Sequence, residues 1–192
     1  EEKAELVGVG KHGKEYLGEE SVSQNIKNIR KLYYDRAVNI SDEIIQKIEE
    51  ADLILLSSGS LYTSILPHLI IPEIGKAISG SHAPIMYVSN LVTQPGETDD
   101  YTVSDHLKTL NKHLAPRKVD VVLANNAKID SKIVEKYSLL EQKKLVTLDK
   151  DKIEEYKARL IEDKIVAVEN GTIRHNAMKT AYLILSYLME GE

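Results

Sequence analysis

The 192-residue sequence has no cysteine, no tryptophan and no phenylalanine. Without cysteine, disulfides, thiolate metal sites and cysteine nucleophiles are excluded. Without Trp or Phe, a flat ligand has only ten tyrosines to stack on. No apolar run reaches the roughly 18 to 20 residues of a membrane span, and no charged-then-apolar leader is visible, so a cytoplasmic protein with no membrane insertion is expected. The net charge of -5 argues against nucleic acid as a partner, because phosphate-backbone binding needs a concentrated basic surface. The most basic stretch, Lys27 to Arg36, alternates with aliphatic and tyrosine residues like one face of a strand. There is no initiator methionine: the chain opens EEKAELVGVG, straight into a strand-like pattern, as expected of a fragment or a processed chain.

What is present is a soluble globular composition, 42% hydrophobic and 29% charged. Ala4–Val9 and Glu15–Gly18, joined by the turn Gly10-Lys11-His12-Gly13, read as a hairpin, with Ile29–Tyr34 as a further strand. Ser41 is placed to cap a helix carrying Ile44, Ile45 and Ile48 on one stripe. Aliphatic strands then alternate with helices: strands at Leu53–Leu56, Ile85–Val92 and Val119–Ala124, and a helix from Ser104 to Leu114. Weaker units follow, with a strand near Leu145–Leu148, a helix near Asp151–Arg159 and a strand at Ile165–Glu169. A terminal helix from Asn176 puts Met178, Ala181, Tyr182, Leu185 and Leu188 on one face. This pattern implies an α/β fold with a mainly parallel sheet covered on both faces. Residues 1–40 are expected as a small β-rich segment, and 41–192 as an α/β nucleotide-binding-like domain.

In such a sheet, ligands bind where strands end in loops that enter helices. Three strand ends are polar. The first, SSGSLYTSILPHL (Ser57–Leu69), offers Ser58, a Gly59 able to take φ > 0, and the N–H groups of Ser60, Leu61 and Tyr62, with the Thr63 hydroxyl beside them. The same string equally suits an ordinary strand-to-helix turn capped by Ser60. Pro67 and Pro72 shorten the following helix, and His68 either donates to a ligand or is a half-buried histidine. The second strand end contributes Asn90, Thr93 and Thr98 within SNLVTQPGETDDY, and the third contributes Asn125 of the Asn125-Asn126 pair. Asp99, Asp100, Asp105 and His106 are possible ligands for a divalent metal such as Mg2+, or Thr102 or Ser104 caps a helix whose dipole these acids complement. Arg174, at the entrance of the terminal helix, is either a diphosphate clamp or a surface arginine. Between Ala51 and Leu110 only eight side chains are charged, and these gather in Glu97–Asp105, as in a segment that is buried or bound.

GSLYTSILPHLIIPEI (Gly59–Ile74) and VSNLVTQPGETDDYTVSDHL (Val88–Leu107) resemble the CofD-like family, specifically its gluconeogenesis-factor (YvcK-type) branch. The resemblance runs from Ala4 through the terminal helix. It implies a Rossmann-like three-layer αβα fold, a cytoplasmic homodimer, and UDP-sugar binding linked to gluconeogenic carbon metabolism and cell-wall homeostasis. The sister branch implies an alternative, 2-phospho-L-lactate transfer from a guanosine-diphospho donor to a deazaflavin with magnesium. The chain departs from the family pattern in four ways. The glycine-rich GGGTG-type loop is not present, Ser57-Ser58 stand for a usual Gly-Pro, His68 for a common asparagine, and Asp100 for a usual glycine. Three readings stand: a nucleotide-sugar sensor, a transferase, and a scaffold without independent activity.

Overall fold

A computed structural model describes residues 3–25 and 29–190. Lys27, where the basic stretch starts, lies outside them. At the N-terminal end, β1 (Leu6–Val9) pairs antiparallel with β2 (Glu15–Leu17), as the Gly10–Gly13 turn implies, and on its other side with β3 (Lys31–Tyr34). The short helix α1 (Glu19–Asn25) buries Val22 beneath this sheet.

The central sheet has the order β4-β5-β6-β7, all parallel, built from Ile54–Leu56, Ile85–Val88, Val121–Asn125 and Arg159–Asp163. β5 shows why its sequence is continuously apolar: Ile85 and Tyr87 face one core, Met86 and Val88 the other. On the first face lie α2 (Asp42–Glu49), α3 (Leu66–Leu69), α4 (Pro72–Gly80), α5 (Val103–Leu114) and α7 (Lys150–Glu155), through Ile48, Leu66, Ile74, Leu107, Leu110 and Ile153, while α6 (Ser131–Glu141) packs through Tyr137 with Leu91 and Ile173. Leu183, Ile184 and Tyr187 of α8 (Ala177–Met189) cover the second face. The Rossmann-like αβα layering is therefore present. Among the described residues no helix is long and apolar enough to cross a membrane.

Several sequence expectations are corrected. Leu145–Leu148 is not a strand but a segment touching Val92 through one antiparallel bridge. Arg159 does not end a helix; it opens β7, the fourth parallel strand, whose RLIED sequence carries too many charges to read as a buried strand. β8 (Val166–Glu169) does not extend the parallel sheet: it forms an antiparallel hairpin with β9 (Thr172–His175) across the tight turn Asn170-Gly171, both at positive φ. Pro67 and Pro72 begin helices rather than break them, since a missing N–H costs nothing in a first turn. Finally, the α8 face of Met178, Tyr182 and Leu185 points outward, at 82%, 63% and 59% exposure.

Candidate functional site

The carboxyl end of β4 delivers Ser57-Ser58-Gly59 and then an unusually wide turn of π-helix, Leu61–Ile65, in which the Ile65 N–H reaches back to the Ser60 carbonyl. Such turns mark strained, frequently functional positions. Ser60 caps it, its hydroxyl accepting from the Thr63 N–H at 3.2 Å. The same hydroxyl donates to Glu97 Oε2 at 2.5 Å, so the expected phosphate-facing hydroxyl is already tied to a carboxylate. Gly59 does not take positive φ, contrary to the sequence expectation. Its requirement is space: a Cβ there stands 2.8 Å from the Ser64 Cβ. Leu61, Tyr62 and Thr63 are buried, and His68 is exposed, lining the same cavity as Ser58, Gly59 and Ser64.

The end of β5 packs directly against this turn. Asn90 donates through Nδ2 to the Gly59 carbonyl at 2.8 Å, while its Oδ1 accepts from the Tyr87 hydroxyl at 2.7 Å. A third element completes the edge. His175, the last residue of β9, has Nε2 3.0 Å from the Ser89 carbonyl and Nδ1 3.2 Å from Ser58 Oγ. A carbonyl only accepts, so Nε2 carries the proton and the Nδ1 lone pair receives the Ser58 hydroxyl. Burial lowers the pKa of His175, opposed by its bond to Ser89, which favours this neutral tautomer. The result is a serine hydroxyl held against a neutral imidazole, an arrangement able to take up a proton from a hydroxyl group.

Glu97 sits 3% exposed in the loop after β5. Burial raises its pKa against hydrogen bonds from the Ser60 and Ser23 hydroxyls and the Tyr62 N–H, and Oε1 has no partner among the described residues.

The other expected residues are placed differently. Thr93 and Thr98, both 2% exposed, use their hydroxyls to accept from the Lys144 and Gln94 N–H groups and so hold the loop. Asn125, at the end of β6, donates to the Ala127 carbonyl, and its Oδ1 has no partner among the described residues beside a cavity of about 460 Å3, shared with Ser89, Asn90, Lys150 and Glu162. Ser57, Ser58, Gly59 and Ser64 border a second cavity of about 470 Å3 whose other walls are mostly aliphatic. Arg174 is exposed, and strand alternation puts it on the opposite side of β9 from Ile173 and His175.

The acidic residues serve the loop. Asp99 accepts from the Gly96 N–H at 3.0 Å, and Asp100 takes φ 60, the left-handed region. Asp105 forms a capping box with Thr102, so Thr102 and not Ser104 is the cap; Ser104 instead binds Asp149. His106 is 1% exposed, its Nδ1 2.8 Å from the Thr102 carbonyl and its ring between Tyr87 and Tyr101, and burial lowers its pKa. Among the described residues no group of three or more His, Asp or Glu stands together; Asp99 and Asp105 are engaged by the Gly96 and Thr102 N–H groups.

Sequence reasoning missed His175 and Glu97 as site residues. The histidine follows the arginine that drew attention, and its partners are 117 and 86 residues away. Glu97 was visible as a charge in a charge-poor segment, without a sign of its burial against Ser60.

The chain is similar to known proteins over nearly all its length. It is 36% identical to the gluconeogenesis factor of Bacillus subtilis over 179 residues, 93% of this chain and 56% of that protein. It is 36% identical to a putative gluconeogenesis factor of Thermotoga maritima over 189 residues, 96% of this chain and 59% of that protein. A crystal structure of a UPF0052-family protein from Bacillus halodurans superposes with a TM-score of 0.89 at 34% identity, covering 95% of this chain and 59% of that one. The chain thus spans a little over half the length of these relatives. Residues 1–166 match the family model described as 2-phospho-L-lactate transferase CofD, and the chain belongs to the CofD family.

Proposed function

We propose that the chain is part of a nucleotide-sugar-binding regulatory protein of the gluconeogenesis-factor type, acting in the cytoplasm as a homodimer and serving carbon metabolism and cell-wall homeostasis. One observation carries the binding part of this reading. The ends of β4, β5 and β6 and the hairpin residue His175 bring Ser58, Gly59, Ser60, Asn90 and Asn125 to one sheet edge beside cavities of about 460 and 470 Å3. That is the crevice where nucleotides bind in open parallel sheets. The relatives' names support the regulatory part. The outward stripe of Met178, Tyr182, Leu185 and Met189 on α8 is the face on which we place the dimer contact.

Isothermal titration with UDP-glucose and UDP-N-acetylglucosamine tests the binding. Saturable heat is expected, and Ser60→Ala weakens it about tenfold, the worth of one hydrogen bond to a charged group. No heat at millimolar ligand for either sugar nucleotide overturns the reading.

A second reading, transfer of a phospholactyl-type group to a deazaflavin hydroxyl, is favoured by the Ser58–His175 pair, whose imidazole is placed to receive an acceptor's proton. Product formation from a guanosine-diphospho donor, lost in His175→Ala, supports it; no product beside a working family transferase removes it.

A further inference from the structure

A third, chemically different cavity lies between β3 and α5. It has a volume of about 260 Å3, with Tyr62, Leu66 and Tyr101 among its walls. Around it stand Arg30 and Lys31 from the start of β3 and Lys108 and Lys112 from one face of α5, where residues four apart are neighbours. These four cations face one carboxylate, Asp105, and that carboxylate is engaged by the Thr102 N–H and hydroxyl in the capping box. Among the described residues none of the four forms an ion pair, although the Lys31 ammonium lies 5.0 Å over the Tyr33 ring. In a chain of net charge -5, four basic side chains around one concavity are a departure from the rest of the surface. Like charges held together cost folding free energy unless something anionic is bound.

We propose that this cavity binds a small soluble phosphate compound, a diphosphate or a phosphate ester with a compact organic group. Lys and Arg supply charge-assisted donors, and of the Tyr62 and Tyr101 hydroxyls, which share a hydrogen bond at 3.0 Å, one keeps its proton to donate. The volume lies below the roughly 300 to 1,000 Å3 of pockets for drug-sized ligands, so a whole nucleotide sugar does not fit. The site is therefore separate from the sheet-edge crevice and does not depend on what that crevice binds.

Lysine acetylation footprinting, read by mass spectrometry with inorganic pyrophosphate as the probe, tests the proposal residue by residue. Pyrophosphate is expected to slow acetylation of Lys108 and Lys112 at least threefold while leaving Lys47 and Lys76 unchanged. Sodium chloride at matched ionic strength should not reproduce the protection. The double variant Lys108→Gln, Lys112→Gln is expected to keep its melting temperature and to lose the protection still measurable at Lys31. UDP-glucose should leave all three lysines reactive. Absence of protection at millimolar pyrophosphate, equal protection by salt, or protection only by phosphatidylglycerol vesicles each overturns the proposal.

Discussion

The sheet edge and the β3–α5 cavity are both places for an anion, yet they are built on opposite plans. At the edge, the serines and Asn90 are satisfied internally, Ser60 by Glu97, Asn90 by Gly59 and Tyr87, Ser58 by His175, while Glu97 Oε1 and Asn125 Oδ1 have no partner among the described residues. A ligand there exchanges existing hydrogen bonds for its own, and shape decides what enters. At the cavity, charge is gathered and left unpaired, and attraction comes before fit. Specificity belongs to the first plan and long-range capture to the second.

The contrast predicts how each region responds to substitution. The largest effect is expected at the edge, where Gly59→Ala forces a Cβ to 2.8 Å from the Ser64 Cβ. Overpacking of this kind costs about 1 to 3 kcal/mol, readable as a lower midpoint in urea with an unchanged slope. Next, His175→Ala leaves the Ser58 hydroxyl and the Ser89 carbonyl without their partner, a loss of about 1 kcal/mol by the same measurement. His175→Gln, which keeps a donor, is expected to recover part of it.

A third prediction concerns pH. Glu97 has a raised pKa, so the folded chain holds a proton that the unfolded chain has released, and this stability is lost as pH rises from the ordinary 4.5 through the raised value. Glu97→Gln should flatten that slope, and a parallel profile for the two proteins would refute the assignment. Burial lowers the pKa values of His106 and His175, so their contribution runs the other way: it is complete above 6.5 and declines as pH falls below it. The smallest effect is expected at the cavity. Lys108→Gln with Lys112→Gln should change stability by no more than about 0.5 kcal/mol, since exposed side chains without partners hold nothing together. A large loss there would erase the distinction between the two regions.

The parallel strands were legible because both faces of β5 and β6 are buried, which leaves an unbroken aliphatic run. The polar strand ends were legible for the same reason, as abrupt changes at the end of such runs. β7 was hidden because it lies at the sheet margin and carries Arg159, Glu162 and Asp163. The hairpin β8–β9 was half hidden: its turn residues stood out, while the four-residue strand TIRH carries no strong period of its own. At Gly59 the sequence pointed to the right residue for a different reason, since no local pattern reveals that Ser64 closes in on it. His175 was out of reach of any local reading because its partners come from two distant strands.

That last pairing sets when the crevice comes into being. Ser58 and His175 are separated by 117 residues, so nearly the whole described chain must be arranged before they meet. The entropy of closing so long a loop is recovered only from contacts the rest of the fold has already made. Closure of the sheet edge thus depends on long-range contacts, and the Ser58–His175 bond ties the end of β4 to the end of β9. A chain ending before β9 loses this wall and, with α8, the cover over Met86, Val88, Val121 and Leu123.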